Sequence, residues 1–340
     1  MCFKAHRGET EKKMKQIIAY LDIIGFSNLL KNQSQTAIDF IETLNIKITN
    51  KYTDTKIIKS SNQKDLNHEY IIDSFKYFVN ISDSIIIIAD ENNQDKFIDQ
   101  LTYLIAKIQT EHLKSFNKPF NDINDKNEVN NKNILDCLLQ PHNAFPCLLK
   151  GGIAIGEDIT IFDRNNCIIN YQLKPLTFNI TGKTYLEAVE LEENKKEKGP
   201  RIFCNENFKN NIKNPKILTM FRKVKSKEDT NKNLYEILWT IKTLEISQII
   251  PKSEKEKWEI VKKNANEMII PVVNILNFYK KQKVKENILN QYKEFIKLIY
   301  RGLLVYVTNE CNSFQEETKK QISTDLKEKN LDIILEDIME

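Results

Sequence analysis

Ile17-Ile18-Ala19-Tyr20-Leu21 is an unbroken apolar run that ends on a carboxylate, Asp22, before the chain turns through Gly25-Phe26-Ser27. A second run, Ile85-Ile86-Ile87-Ile88, follows Asp83, which stands between two serines. Runs this short and this continuously apolar read as buried strands of one sheet. An unpaired ionised carboxylate at the edge of such a strand is costly, and a cation is the natural compensation. Two such carboxylates from different strands, one leading through a Gly-Phe-Ser turn into a helix, are the components of a divalent-metal, triphosphate-binding site.

The remaining elements follow from hydrophobic period and punctuation. Ile17 to Ile23 reads as a strand broken by Gly25, with Ser27 placed to cap a helix carrying Leu29, Leu30, Ala37, Ile38, Ile41 and Leu44. Residues 52–68 are polar and loop-like. Tyr70 to Ile81 and Ser84 to Ala89 read as a hairpin around Ser82-Asp83, and Phe97, Leu101, Leu104, Ile105 and Ile108 share one face of a second helix. Residues 117–133, rich in Asn, Asp and Lys, read as a surface loop or disordered insertion. Cys147 to Gly156 is a third strand whose glycines mark a close backbone approach, and Ile159 to Phe162 would continue the sheet. Lys183 to Glu193 reads as a short helix, Asn194 to Gly199 as a charged turn, and Arg201 to Cys204 and Leu234 to Trp239 as strands. From Ser253 onward Leu, Ile and Phe recur at helical spacing.

A strand–helix–strand–strand–helix–strand core of this order is ferredoxin-like, an α/β (α+β) fold, here with a helical C-terminal appendage. The expected division is an extension over 1–13, with Met14 a candidate start, a core domain over 14–210 and a mainly helical region over 211–340. That last region would pack on the core or at a dimer interface. Its aromatics, Trp258, Phe278, Tyr279 and Phe295, suit either place.

Composition removes several classes of function. A net charge of +4 from 51 basic and 47 acidic residues is no nucleic-acid footprint. No apolar stretch reaches bilayer length and no signal-peptide pattern opens the chain, so a cytoplasmic protein without a membrane partner is expected. Cys2, Cys137, Cys147, Cys167, Cys204 and Cys311 lack paired spacing and read as reduced thiols, and four scattered histidines make a His-based metal site a poor fit.

Asp22-Ile23-Ile24-Gly25-Phe26-Ser27, Ser82-Asp83-Ser84, Lys150 to Gly156 and Gly182 to Leu191 occur in the order of the class III adenylate and guanylate cyclases. With Glu187-Ala188-Val189-Glu190-Leu191-Glu192 and Gly199-Pro200-Arg201-Ile202, the chain most resembles the bacterial Pycsar branch, whose uridylate and cytidylate cyclases act in anti-phage defence. The resemblance covers roughly residues 16–205. It implies that 14–210 is a nucleotidyl cyclase catalytic domain. The ribose 3′-hydroxyl would attack the α-phosphorus and expel diphosphate, helped by two divalent ions about 3.5–4 Å apart. Asp22 and Asp83 would bridge those ions, with the carbonyl of Ile23 as a further oxygen. Such hard ligands suit Mg²⁺ or Mn²⁺. The amides of Gly25, Phe26 and Ser27 would hold the β- and γ-phosphates.

Two departures from the family pattern bear on mechanism. Class III enzymes usually carry an Asn and an Arg on the helix after the sheet, where this chain has Leu186 and Glu190. Arg201 or Lys150 would then supply the positive charge, Arg201 as a catalytic residue and Lys150 on the phosphates. The positions that read a purine hold Val79 and Asn179, and an Asn amide can both donate to and accept from a pyrimidine edge. The expected substrate is therefore UTP, ahead of CTP, giving cyclic UMP that acts on a separate cyclic-nucleotide-activated effector. A head-to-tail homodimer with composite active sites follows from the resemblance.

Other readings stay open for several of these residues. Asp83 between serines is a common turn residue, and Asn179 caps turns equally well. Gly151-Gly152 also suits a strand packed tightly on a helix, Ser27 suits a helix cap, and Arg201 suits an ion pair. The alternative functions are an ordinary adenylate or guanylate cyclase, a catalytically silent nucleotide sensor, and polymerase-palm chemistry, against which the absent basic channel argues.

Overall fold

The computed structural model describes residues 15–47, 74–117, 148–163, 178–193, 198–224, 233–245, 251–281 and 283–339. The 1–13 extension with Met14, the 52–68 loop, the 118–133 stretch and residues 194–197 lie outside the described residues, as do Cys2, Cys137, Cys147 and Cys167.

A seven-stranded mixed sheet organises the chain. Its strands are β1 (Gln16–Ile23), β2 (Tyr77–Ile81), β3 (Ser84–Asp90), β4 (Leu149–Gly156), β7 (Ile202–Asn205), β8 (Phe221–Val224) and β9 (Leu234–Ile237). They lie in the order β2-β3-β1-β4-β7-β9-β8. The first four pair antiparallel, which reproduces the expected ferredoxin-like core. β7 adds parallel to β4, and β9 and β8 extend that edge antiparallel. Thus β8 and β9, which lie beyond residue 210, are part of the same sheet. β5 (Thr160–Asp163) does not continue this sheet as the sequence suggested. It pairs with β6 (Phe178–Thr181) in a separate two-stranded ribbon.

Alternation along β1 separates the two sides of the sheet. Ile17, Ala19, Leu21 and Ile23 enter the main core beneath α1 (Phe26–Asn32), α2 (Ser34–Lys47) and α3 (Gln94–Leu113). Ile18 joins a second, smaller cluster against which Tyr20 packs. The single helix expected after Gly25 is two, α1 and α2, meeting at Gln33. Phe97, Leu101, Leu104, Ile105 and Ile108 of α3 are all fully buried. Each such side chain contributes about 1.5–3 kcal/mol relative to exposure.

The second cluster is closed by α4 (Lys183–Glu192), which lies across β4 and β1. The short helices α5 (Glu206–Asn210) and α6 (Pro215–Leu218) connect β7 to β8. The C-terminal helices α7 (Thr240–Glu245), α8 (Glu254–Lys281), α9 (Glu286–Glu310), α10 (Gln315–Glu328) and α11 (Leu335–Met339) follow. Trp258, Phe278 and Phe295 belong to the main core, and Tyr279 packs against it. Among the described residues no helix is long and apolar enough to cross a membrane, and Cys204 and Cys311 are free and buried.

Candidate functional site

The sheet places Asp22 and Asp83 side by side. Asp22, near the end of β1, sits opposite Ser84 on β3 and Lys150 on β4. Ser82 takes a left-handed conformation, φ 56°, so that the chain reverses between β2 and β3 over only Ser82 and Asp83. The amide of Ile23 donates to the Asp83 carbonyl at 3.2 Å, tying the hairpin turn to the end of β1. The Tyr20 hydroxyl and Ser84 Oγ lie 2.7 Å apart and hydrogen-bond across the same pair of strands.

The electrostatics of this corner are unusual for a carboxylate. Burial pushes the Asp22 carboxyl up to about 6, opposed by the Lys150 ammonium and reinforced by the negative charges of Glu192 and Asp83. Lys150 Nζ stands 3.5 Å from Asp22 Oδ2 and is also ion-paired with Glu192. Burial works against the Lys150 charge, yet the hydrogen bond and charge of Glu192, then those of Asp22, raise its pKa above the usual value.

Glu192 arrives through the glycines of β4. A Cβ on Gly152 would fall 2.0 Å from the Ala188 carbonyl and 2.9 Å from the Glu192 amide, and one on Gly156 would fall 2.2 Å from Thr184 Oγ1. Thr184, Ala188 and Glu192 are spaced one helical turn apart, so two glycines four residues apart on the strand seat two turns of α4 directly on it. The last residue of the helix then lies over Lys150, with its side chain only 5% exposed. Sequence reading did not select Glu192. The signal available was its place in the series begun by Thr184 and Ala188.

The other expected site residues fall in different places. Gly25 takes a left-handed conformation, φ 84°, and caps α1 without a side-chain bond. Ser27 lies inside the first turn, so it is not the cap its residue type suggested: the αL turn at Gly25 starts the helix two residues earlier. Phe26 is buried in the main core while Gly25 and Ser27 are exposed. Ile23 points its side chain into the core, leaving only its main-chain oxygen for any ligand role. Val79 lies on β2 opposite Ile86, which is opposite Tyr20, and so packs on the second cluster one row from the carboxylates. Asn179 pairs with Phe162 in the β5–β6 ribbon, and its side chain lies outside the described residues.

Arg201 is the clearest correction. It was expected beside the reacting phosphate, but its side chain is 1% exposed and ion-paired with Glu236, at 2.9 Å, and with Glu294 of α9. Two carboxylates hold this guanidinium between the sheet and the C-terminal helices, so it is not available to a substrate beside Asp22. Leu186 and Glu190 are exposed on α4.

Three carboxylates and one ammonium leave surplus negative charge at this corner, which a divalent cation would complement, and the donors are hard oxygens suited to Mg²⁺ or Mn²⁺. Among the described residues no three His, Cys, Asp or Glu side chains gather as a ready-made metal cage.

The arrangement defines a ferredoxin-like sheet with a paired-aspartate corner. No family model and no curated protein matches the chain. Among solved structures it is similar to the catalytic core of a rhodopsin-guanylyl cyclase with converted specificity, in complex with ATPαS. Identity there is 13% and the TM-score 0.38, over 67% of this chain and 98% of that one. It is also similar to the adenylyl cyclase CyaB from P. aeruginosa (11% identity, TM-score 0.37, 66% and 93% covered). A third is the guanylyl cyclase Cya2 (10%, 0.36, 66% and 90%).

Proposed function

We propose that the chain is a nucleotidyl cyclase with a pyrimidine substrate, converting UTP to 3′,5′-cyclic UMP and diphosphate. The observation that carries this is the convergence of Asp22, near the end of β1, and Asp83, in the β2–β3 turn, at a corner where burial, chiefly, pushes the Asp22 carboxyl up to about 6. Asp22, Asp83 and the Ile23 carbonyl would hold two Mn²⁺ or Mg²⁺ ions. Bound there, the ions acidify the ribose hydroxyl and neutralise the triphosphate. Lys150 and the main-chain amides of Gly25, Phe26 and Ser27 would meet the phosphates. Val79 would offer a purine no charged partner, and Asn179 would present an amide to the uracil or cytosine edge.

With Arg201 held in the core, Lys150 is the cation paired with Asp22 among the described residues, and a head-to-tail homodimer would let a second copy complete the site. A cyclic pyrimidine product would act as a messenger for a separate effector, the role it has in anti-phage defence. A second reading, a silent nucleotide sensor, is favoured by one observation: Leu186 and Glu190 stand where a catalytic Asn and Arg are usual.

Incubation of the purified protein with each of the four NTPs and Mn²⁺, with products identified by mass, separates these readings. Cyclic UMP as the main product is expected. Conversion of ATP or GTP alone rejects the pyrimidine assignment, and tight NTP binding without diphosphate release establishes the sensor.

A further inference from the structure

We propose that Lys150 is a resident counter-cation for Asp22 and that Glu192 is the positioning residue that governs how readily it yields to a metal ion. The inference rests on the reading of Asp22 and Asp83 as metal-holding carboxylates and adds two residues to it.

The contacts carry it in sequence. The Lys150 ammonium lies between two carboxylates, 3.5 Å from Asp22 and ion-paired with Glu192. It is the opposite charge closest to Asp22 that the described structure supplies. A divalent ion arriving at Asp22 meets an ammonium already there, and two cations sharing one carboxylate repel each other. Lys150 must then shift, and Glu192 offers the place to shift to. Glu192 is nearly fully buried at the end of a helix seated on Gly152 and Gly156, so its carboxylate is fixed while the half-exposed Lys150 chain is not. Glu192 thereby plays the part that outer carboxylates play behind metal ligands, acting through a neighbour. Lys150 pairs with Asp22 on one side and Glu192 on the other, which puts Glu192 behind the ammonium and off the metal.

The two substitutions should move metal affinity in opposite directions. Glu192→Gln keeps shape but removes the alternative partner, leaving Lys150 on Asp22 alone and removing a nearby negative charge. Lys150→Met removes the competing cation. Mn²⁺ binding to the nucleotide-free protein, followed by titration calorimetry and by the loss of the free-ion EPR signal, reads both. Glu192→Gln should weaken Mn²⁺ binding roughly tenfold, in line with outer-shell substitutions elsewhere. Lys150→Met should tighten it by about threefold, a modest gain for relieving one screened repulsion. In the Lys150→Met background, Glu192→Gln should have much less effect than alone.

Unchanged Mn²⁺ affinity in folded Glu192→Gln overturns the proposal and leaves Glu192 a merely structural pair to Lys150. An equal loss with and without Lys150 overturns it in favour of Glu192 as a direct ligand. Should Glu192→Gln fail to fold, Lys150→Met still decides, because weaker binding in that variant also overturns the proposal. Asp22→Asn, measured alongside, separates the premises: if it retains Mn²⁺ binding, the metal site itself is misplaced, whatever Glu192 does.

Discussion

Asp22 is a residue whose presence costs the fold something. Its pKa, raised to about 6, means that the folded protein holds the proton more tightly than an unfolded chain with an ordinary Asp does. Stability from that proton is fully present below the unfolded value near 4 and is lost as pH rises through about 6. Above pH 6 the metal-free protein carries an ionised, poorly solvated carboxylate that Lys150 alone offsets among the described residues. Asp22→Asn should therefore raise the melting temperature of metal-free protein at pH 8 by on the order of 1–3 °C. The gain should shrink toward pH 4, as differential scanning fluorimetry across that range would record. The same substitution should abolish the proposed cyclase turnover and the thermal stabilisation expected from Mn²⁺. An unchanged melting temperature at pH 8 would mean that Lys150 neutralises Asp22 fully and that no cation is missing.

At the scale of elements, the seat of α4 on β4 is what turns separate residues into one corner. A methyl group on Gly152 would collide with the Ala188 carbonyl and with Leu191 Cβ at 2.6 Å, contacts that backbone cannot relieve without lifting the helix. Gly152→Ala should cost about 1–3 kcal/mol of stability and, by moving Glu192 off Lys150, weaken Mn²⁺ binding in the protein that does fold. Denaturant titration and calorimetry would record the two effects separately. Much of this element was legible beforehand. The apolar runs of β1 and β3, the Asp83 hairpin and the period of α3 were readable because burial imposes its period directly on sequence. The glycines of β4 were readable as a close approach, but not as to what approaches, since a ligand and a helix demand the same missing side chain. Glu192 was not legible as a site residue, because its partner lies on another element and nothing local distinguishes it from the neighbouring glutamates of α4. Arg201 misled for the same reason: a basic residue within a matching motif looks alike whether its partners are phosphate oxygens or buried carboxylates.

Over the whole molecule, those partners decide how the chain divides. Glu236 on β9 is completely buried between Arg201, at 2.9 Å, and Arg222 of β8, at 2.8 Å. Glu294 of α9 joins Arg201 to Lys297, which in turn pairs with Asp337 of α11. The chain of alternating charge thus runs from the strand beside β4 to the last helix. Removing Arg201 leaves the buried Glu236 with Arg222 alone and Glu294 with Lys297 alone, so Arg201→Ala should cost on the order of 3 kcal/mol. It should lower the melting temperature more than it lowers turnover per folded molecule. A catalytic arginine would show the reverse, full stability with kcat lost. The same network argues against an autonomous unit ending at residue 210. A fragment of residues 14–210 would keep Arg201 but lose Glu236 and Glu294, expose the edge of β7 where β9 now pairs, and uncover the side of α3 that meets α7 and α8. That fragment should be unfolded or aggregated by circular dichroism and light scattering, whereas the full chain should be monodisperse. A soluble, cooperatively melting fragment would show instead that the C-terminal helices are an appendage to the sheet and not the other half of its core.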